Sequence, residues 1–351
     1  MLPSGIIFKS YGGEGAYLVT RPQKLVFALF VVALFLFPMV SSAYLLGTVS
    51  FMFITMIAVL GLQITVGMAG QINLGQSAFV GVGAYVTAAM AVNYELPFYV
   101  AIPIGGLVAG LTSILFGLPA ARIKGFYLAL TTVAAQVMFP LAISRLPRSW
   151  FGGPNGMSMP SMELFGYEIW GQVGIYLVNL CFLLVFAALA FNLQRSRAGR
   201  AFIAIRENDV VAPVMGINLV KYKILAFFAG AVFAGISGGL YAYYVTYVTA
   251  EQFTLWLSVI YLGMLLIGGM TSPLGAIFGV IIMTLLQETT HDIGGYLSDR
   301  ISFLDESVIF PATNIVLGAV IIAVLIFEPH GMVRRWRIAK AAYRIWPNPH
   351  G

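Results

Sequence analysis

The chain has 351 residues, of which 60% are hydrophobic and 9% charged, and a formal net charge of +6. Soluble domains carry about 45–50% apolar and about 25% charged residues, so this chain cannot cover a water-facing surface and reads as an all-α polytopic membrane protein. In a soluble protein the basic balance would suggest nucleic acid; here it fits loops facing a cytoplasm and anionic lipid, and no nucleic-acid partner is expected.

The first 24 residues are polar and Gly-rich, with no cleavable signal pattern, and Lys9, Arg21 and Lys24 hold this segment inside. A bilayer crossing needs about 20 mainly apolar residues. Candidate spans are 25–43, 48–66, 67–92, 98–118, 126–143 and 173–193, followed beyond a basic interruption by 224–248. The apolar stretch 255–286 is too long for one helix and is cut by Gly268, Gly269, Pro273 and Gly275. It reads as two short helices joined at Thr271 and Ser272. A polar segment, 287–306, precedes the last span, 307–327, and a basic tail occupies 328–351. That makes about ten crossings, with a permease-like membrane domain over 25–327 and both termini cytoplasmic. In this arrangement 16 of the Lys/Arg residues lie inside and only Arg145, Arg148 and Arg300 outside, as the positive-inside rule requires.

The chemistry missing from these spans narrows the function. None, as bounded above, contains Asp, Glu, Lys, Arg or His, whereas ion-coupled transporters usually rely on such groups. Sodium sites made of backbone carbonyls keep a secondary transporter open. None of the six lysines follows a glycine, so no phosphate-binding loop of the GxxxxGK type exists. His291, His330 and His350 lie outside the spans, and the single Cys181 reads as a buried small hydrophobe. The chain is expected to bind no cofactor or metal and to have no enzymatic site of its own.

Three stretches remain. The first holds Gly67, Gly70, Gln71, Asn73, Gly75, Gln76 and Ser77 at the start of a span. It is either part of a polar translocation pathway, to which Gly269, Thr271 and Ser272 would also belong, or a set of interhelical hydrogen bonds and close packing. The second is the Gly/Pro break at 268–279. The third is the basic interruption 195–223, within the loop 194–223. There residues 201–215 have helical spacing, with Phe202, Ile205 and Val214 on one side, Arg206, Glu207 and Asp209 on another, and Gly216 as a stop. It is either a solvated positive loop or a helix displayed to a partner.

Together GMAGQINLGQSAFVGVGAY, AGRAFIAIRENDVVAPVMGINLVKYKILAF and GGMTSPLGAIFG resemble the LivM-like permeases of branched-chain amino-acid ABC importers, in order over most of 45–331. The resemblance implies a prokaryotic inner- or plasma-membrane importer. Its partners would be a second, LivH-like permease, two ATP-binding subunits (LivG/LivF-like) that hold the ATP, and an extracytoplasmic solute-binding protein. It also implies that the basic interruption is the coupling loop docking on the ATPase, through Arg200, Phe202, Ile205, Arg206, Glu207, Asn208, Asp209, Ala212 and Gly216. Ala212 and Gly216 match the Ala-x-x-x-Gly end of the general importer loop, whereas Val210 and Val211 stand where that motif has Glu and Ala. Urea, amide or small-acid permeases of the same family, a stand-alone facilitator and a secondary transporter are the alternatives.

Overall fold

The computed structural model describes residues 21–122, 125–164, 167–169, 171–298, 306–328, 331–333, 335 and 338. The expected N-terminal segment up to residue 20, His330 and the tail from 339 lie outside the described residues. The long helices are α1 (Arg21–Leu36), α2 (Ala43–Leu62), α3 (Gln76–Tyr94), α4 (Phe98–Arg122), α5 (Phe126–Arg145) and α6 (Gly171–Arg195). A shorter α7 (Arg197–Glu207) precedes α8 (Leu219–Val245), α9 (Leu255–Gly268), α10 (Pro273–Ser298) and α11 (Glu306–Phe327). Among the described residues, eight segments, built on α2–α6 and α8–α10, are long and apolar enough to cross a bilayer, while α1 and α11 contribute the shorter apolar stretches Gln23–Met39 and Asn314–Val324. The only strands among the described residues are two-residue pairs; one joins Met157–Ser158 to Tyr247–Val248.

Helix α8 is the central post, with α2, α3 and α4 packed around it. Small residues let the backbones approach. A Cβ on Gly83 would sit 2.2 Å from Gly235 O, and one on Gly238 would sit 1.9 Å from Val80 O. No side chain fits either crossing. On another face of α8 the Ser237 hydroxyl donates to Ile54 O at 2.8 Å, which ties α8 to α2.

Several boundaries differ from those expected. The second span runs on past residue 66 as a π-helical turn, Gln63–Met68, and the third begins at Gln76 rather than at Gly67. Residues 69–75 are unwound between them. The polar segment after residue 286 is helical to Ser298, so Glu288, His291 and Asp292 stand on α10; Tyr44 Oη and Thr48 Oγ1 donate to Glu288. Cys181 lies on an exposed face of α6 rather than in the core.

The depth of the unwound segment follows from one hydrogen bond. Gln76 Nε2 donates to Ala58 O at 2.8 Å. Ala58 stands ten residues before the end of the π-turn, about 15 Å at 1.5 Å per residue. Helix α3 therefore starts well inside the bundle, and residues 69–75 climb back to reach it. Helix α9 begins at the same depth from the other side, because Ser77 N–H donates to Ser258 Oγ at 2.9 Å. Two helix N-termini thus meet in the interior.

Replacing Gly83 by Leu should remove the close α3–α8 crossing and cost on the order of 3 kcal/mol, as overpacking does. Gly318→Ala, where an added Cβ meets nothing within 4 Å, should be neutral. Apparent unfolding temperature in detergent separates the two, and equal behaviour would contradict the packing described.

Candidate functional site

Inside a bilayer an unwound segment has no water to satisfy its amides, and here side chains from neighbouring elements do so. Leu74 N–H donates to Thr132 Oγ1 at 3.0 Å, and Gly75 N–H to Asn73 Oδ1 at 2.9 Å. Asn73 Nδ2 in turn donates to Gln76 Oε1 at 3.0 Å. Helix α3 has no side-chain cap of its own at Gly75. Its first amides are capped from other helices: Ser77 N–H by Ser258, and Ala78 N–H by Gln136 Oε1 at 2.9 Å. Gln136 also donates from Nε2 to Phe253 O, ahead of α9. The Ser77 hydroxyl lies 2.7 Å from Thr254 O and 3.1 Å from Gln136 Oε1, so its one proton serves either acceptor. Asn73, Gln76, Ser77, Thr132 and Ser258 are all fully buried. The amide-rich stretch is therefore engaged in interhelical hydrogen bonding.

The basic loop differs from the expected single helix over 201–215. Helix α7 ends at Glu207, and Asn208 takes an extended conformation, φ −157° and ψ 101°. Its Oδ1 accepts from Val210 N–H and Val211 N–H at 3.0 and 3.1 Å, starting a second short helix, Val211–Val214. Pro213 explains the break. In a continuous helix its ring would collide with the carbonyl of Asp209, four residues earlier, and it has no N–H to donate there. Gly216 ends the short helix at φ +80° as anticipated.

The break also redistributes the faces. Phe202, Ile205 and Ala212 are buried within this chain, whereas Val214 is 83% and Met215 77% exposed, together with Val210 and Val211. Val214 thus does not share a face with Phe202 and Ile205. Arg206 is not displayed outward either. Its Nη1 donates to Gly67 O at 2.6 Å, at the end of the π-turn. Gly70, at φ +67°, fits beneath its stem: a Cβ there would lie 2.9 Å from Arg206 Cγ. Arg200 is exposed and bonds Arg195 O at 2.8 Å, while Glu207, Asn208 and Gly216 are exposed and Asp209 half-buried.

The Gly/Pro break meets the same point. A Cβ on Gly67 would lie 2.1 Å from Met270 O, and Gln63 Nε2 donates to that carbonyl at 3.4 Å. Gly269 has φ +114°, and Thr271 O accepts from Gln194 Nε2 at 3.0 Å. Ser272 is buried. Three stretches far apart in sequence therefore converge on Gly67: the unwound segment beside it, the 268–272 break under it, and Arg206 of the loop bonded to it.

A family model described as "Branched-chain amino acid transport system / permease component" matches residues 44–325. The chain belongs to this permease family. It is 29% identical over 342 residues to the LivM permease protein of the high-affinity branched-chain amino acid transport system of Escherichia coli, covering 90% of this chain and 76% of that one. It is 22% identical over 301 residues to a probable LivH permease of Methanocaldococcus jannaschii, covering 82% and 90%. A putative glucose ABC transporter permease of Haloferax volcanii is 30% identical over 188 residues, 48% of this chain and 54% of that one. No solved structure matches. This permease is thus a multi-spanning membrane subunit of an ABC importer, a family in which permeases occur as LivM-type and LivH-type chains.

Sequence reasoning passed over the partners that hold this permease's unwound segment: Thr132, Gln136, Thr254 and Ser258. A glutamine in an otherwise apolar run at 133–143 was the available signal, since a lone amide in a membrane helix requires a partner. Gln136→Leu should strand the Phe253 carbonyl and leave the Ala78 amide only its bond to Gly75 O, costing about 1–3 kcal/mol by the penalty for a buried unpaired group. The adjacent, exposed Val137→Leu should change nothing. Thermal unfolding of both variants tests this, and an unaltered Gln136→Leu protein would contradict the capping role.

Proposed function

We propose that this chain imports branched-chain amino acids inward as one of two permeases, driven by ATP hydrolysed on separate subunits that dock on residues 197–216. One observation carries the reading. Arg206 of the basic loop is bonded to the carbonyl of Gly67, so a pull on the loop acts on the π-turn that leads into the unwound backbone. The chain itself brings no phosphate-binding loop, and ATP is held by the partners.

The end of the bundle that bears the loop also bears Arg122, Arg195, Arg197, Arg200, Lys221 and Lys223, against Arg145 and Arg148 at the other end. This distribution supports a cytoplasmic position for the loop and both termini. The docking surface is then the exposed short helix with Val210, Val211, Val214 and Met215. A cluster of apolar side chains beyond the membrane, standing on a basic loop, requires burial against a partner. Phe202, Ile205 and Ala212 act differently from the expectation that they face the ATPase. They fasten α7 to this chain's own core and make the platform stiff enough to transmit force. Asn208 sets the angle between the two short helices.

For the solute, a groove of about 580 Å³ runs between α3, α4 and α5, lined by Phe79, Tyr85, Phe116, Met138 and Phe139. It begins at Ala78, beside the meeting point of the two helix N-termini, and reaches Arg145 and Phe151 at the opposite end of the bundle. An apolar wall offers aliphatic side chains weak, non-retentive contact, which a transport path needs. The second permease would close the path from its other side, and an extracytoplasmic solute-binding protein would deliver the amino acid there.

Val214→Asp with Met215→Asp should abolish co-purification of the ATP-binding subunits and leucine uptake into cells, while the membrane fold, read by thermal unfolding, stays unchanged. Retained uptake in this double variant would defeat the docking assignment. Uptake of urea but not leucine by the unaltered transporter would defeat the substrate assignment.

A further inference from the structure

The apolar groove assigned to the solute ends, opposite the platform, against Leu146 and Phe151. Both belong to the segment 146–159, which leaves the end of α5 and crosses to the end of α8 with no helix longer than the single turn Arg148–Phe151. We propose that this segment is a strap that shuts the mouth of the groove, latched to α8 and released when solute enters. The inference rests on the reading of the groove as the transport path.

Printed contacts pin the strap on both sides of the mouth. Over the end of α3, Asn93 Nδ2 donates to Trp150 O at 3.0 Å, and the Trp150 ring meets that of Tyr94 edge-on at 5.7 Å. At α8 the strap forms a short antiparallel ladder, with Met157 opposite Val248 and Ser158 opposite Tyr247. Met159 N–H extends it by donating to Thr246 O at 2.8 Å, and the Tyr247 hydroxyl donates to Asn155 O.

The latch is poised to open. Thr246, the first residue after α8, has φ +63°. A β-branched residue rarely adopts this conformation, and it persists only where its surroundings impose it. The ladder bond to the Thr246 carbonyl is one such restraint, so parting the ladder frees Thr246 to relax. The strap also has the means to swing. Gly156, at φ +75°, lies so close to α8 that a Cβ would sit 2.4 Å from Val248 O. Once released, a glycine there takes other backbone conformations at no steric cost. Met157 and Met159 are buried beneath the strap, and flexible thioethers repack readily when a contact moves. A permanent cover would gain nothing from a strained residue at its tie to α8.

The test locks the latch in the assembled transporter, reconstituted in vesicles with its solute-binding protein. Because 159 and 246 exchange a ladder bond, 158 and 247 form the neighbouring pair without one, whose Cα atoms stand about 4.5 Å apart, within reach of a disulfide. In a Cys181→Ser background, Ser158→Cys with Tyr247→Cys is oxidised by copper phenanthroline. The control is Glu163→Cys with Glu168→Cys, an equivalent pair in a hairpin further along the same loop that is not tied to α8. Oxidation of the 158/247 pair should lower leucine uptake by about tenfold or more, as expected of a blocked gate, and dithiothreitol should restore it. The ratio of oxidised to reduced uptake isolates the lock from the loss of the Tyr247 hydroxyl. The 163/168 disulfide should leave uptake unchanged. Undiminished uptake with the 158–247 bond formed overturns the strap, as does equal loss with both disulfides or a 158/247 pair that fails to cross-link. If the reduced 158/247 variant does not assemble, a single Ala142→Cys in the groove answers the same question: a charged maleimide added outside should label it faster during turnover than at rest, and equal rates overturn the proposal. Uptake that continues through the lock refutes the strap alone, whereas absent uptake by the unsubstituted transporter refutes the transport reading.

Discussion

The amides of Leu74, Gly75 and the first turn of α3 must be satisfied by protein, because these residues return into the bundle where no water is available to them. That constraint organises the surrounding structure. It requires Thr132 and Gln136 on α5, the side chain of Asn73 and the first turn of α9 to face one place, and it is met by neutral groups alone. Neutral amides and hydroxyls fit the task. They bond an unwound backbone in a low dielectric without the desolvation cost of a charge. They can also exchange partners, as the Ser77 hydroxyl does between Thr254 O and Gln136 Oε1.

The one charged contribution comes at the edge of the bundle. Arg206 reaches the last carbonyl region of the π-turn and bonds Gly67 O. A π-turn leaves carbonyls imperfectly paired, and a guanidinium from outside the span is a strong donor for one of them. Glycine at 67 is required by the approach of Met270 O, which an added Cβ would meet at 2.1 Å. The same residue therefore records the position of the 268–272 break, the unwound segment and the platform. A displacement of any one is felt by the other two, since packed interiors transmit strain rather than absorb it.

Much of this was legible in the residues. Composition and apolar run lengths give a helical membrane bundle, and the Gly/Pro cut within 255–286 gives the junction between α9 and α10 close to its true place. Gly216 was recognisable as a helix stop, and its φ of +80° bears that out. The helix start at Gln76 was not legible, because local pattern cannot distinguish an irregular span entrance from an unwound return that is capped by another helix. The break at Asn208 could have been read from Pro213, but periodicity across 201–215 outweighed it. The convergence on Gly67 is a tertiary fact: residues 67, 206 and 270 are far apart in the chain, and nothing in their local sequence announces the bond between them.

The central claim is that Arg206 carries the motion of the platform to the unwound backbone. Arg206→Met keeps much of the packing stem over Gly70 and removes the donor to Gly67 O. The decisive measurement is the ratio of solute transported to ATP hydrolysed by this variant in reconstituted vesicles. Hydrolysis that persists while uptake falls by about tenfold or more, a coupling loss of about 1.4 kcal/mol, is the predicted result. An unchanged ratio would contradict the account.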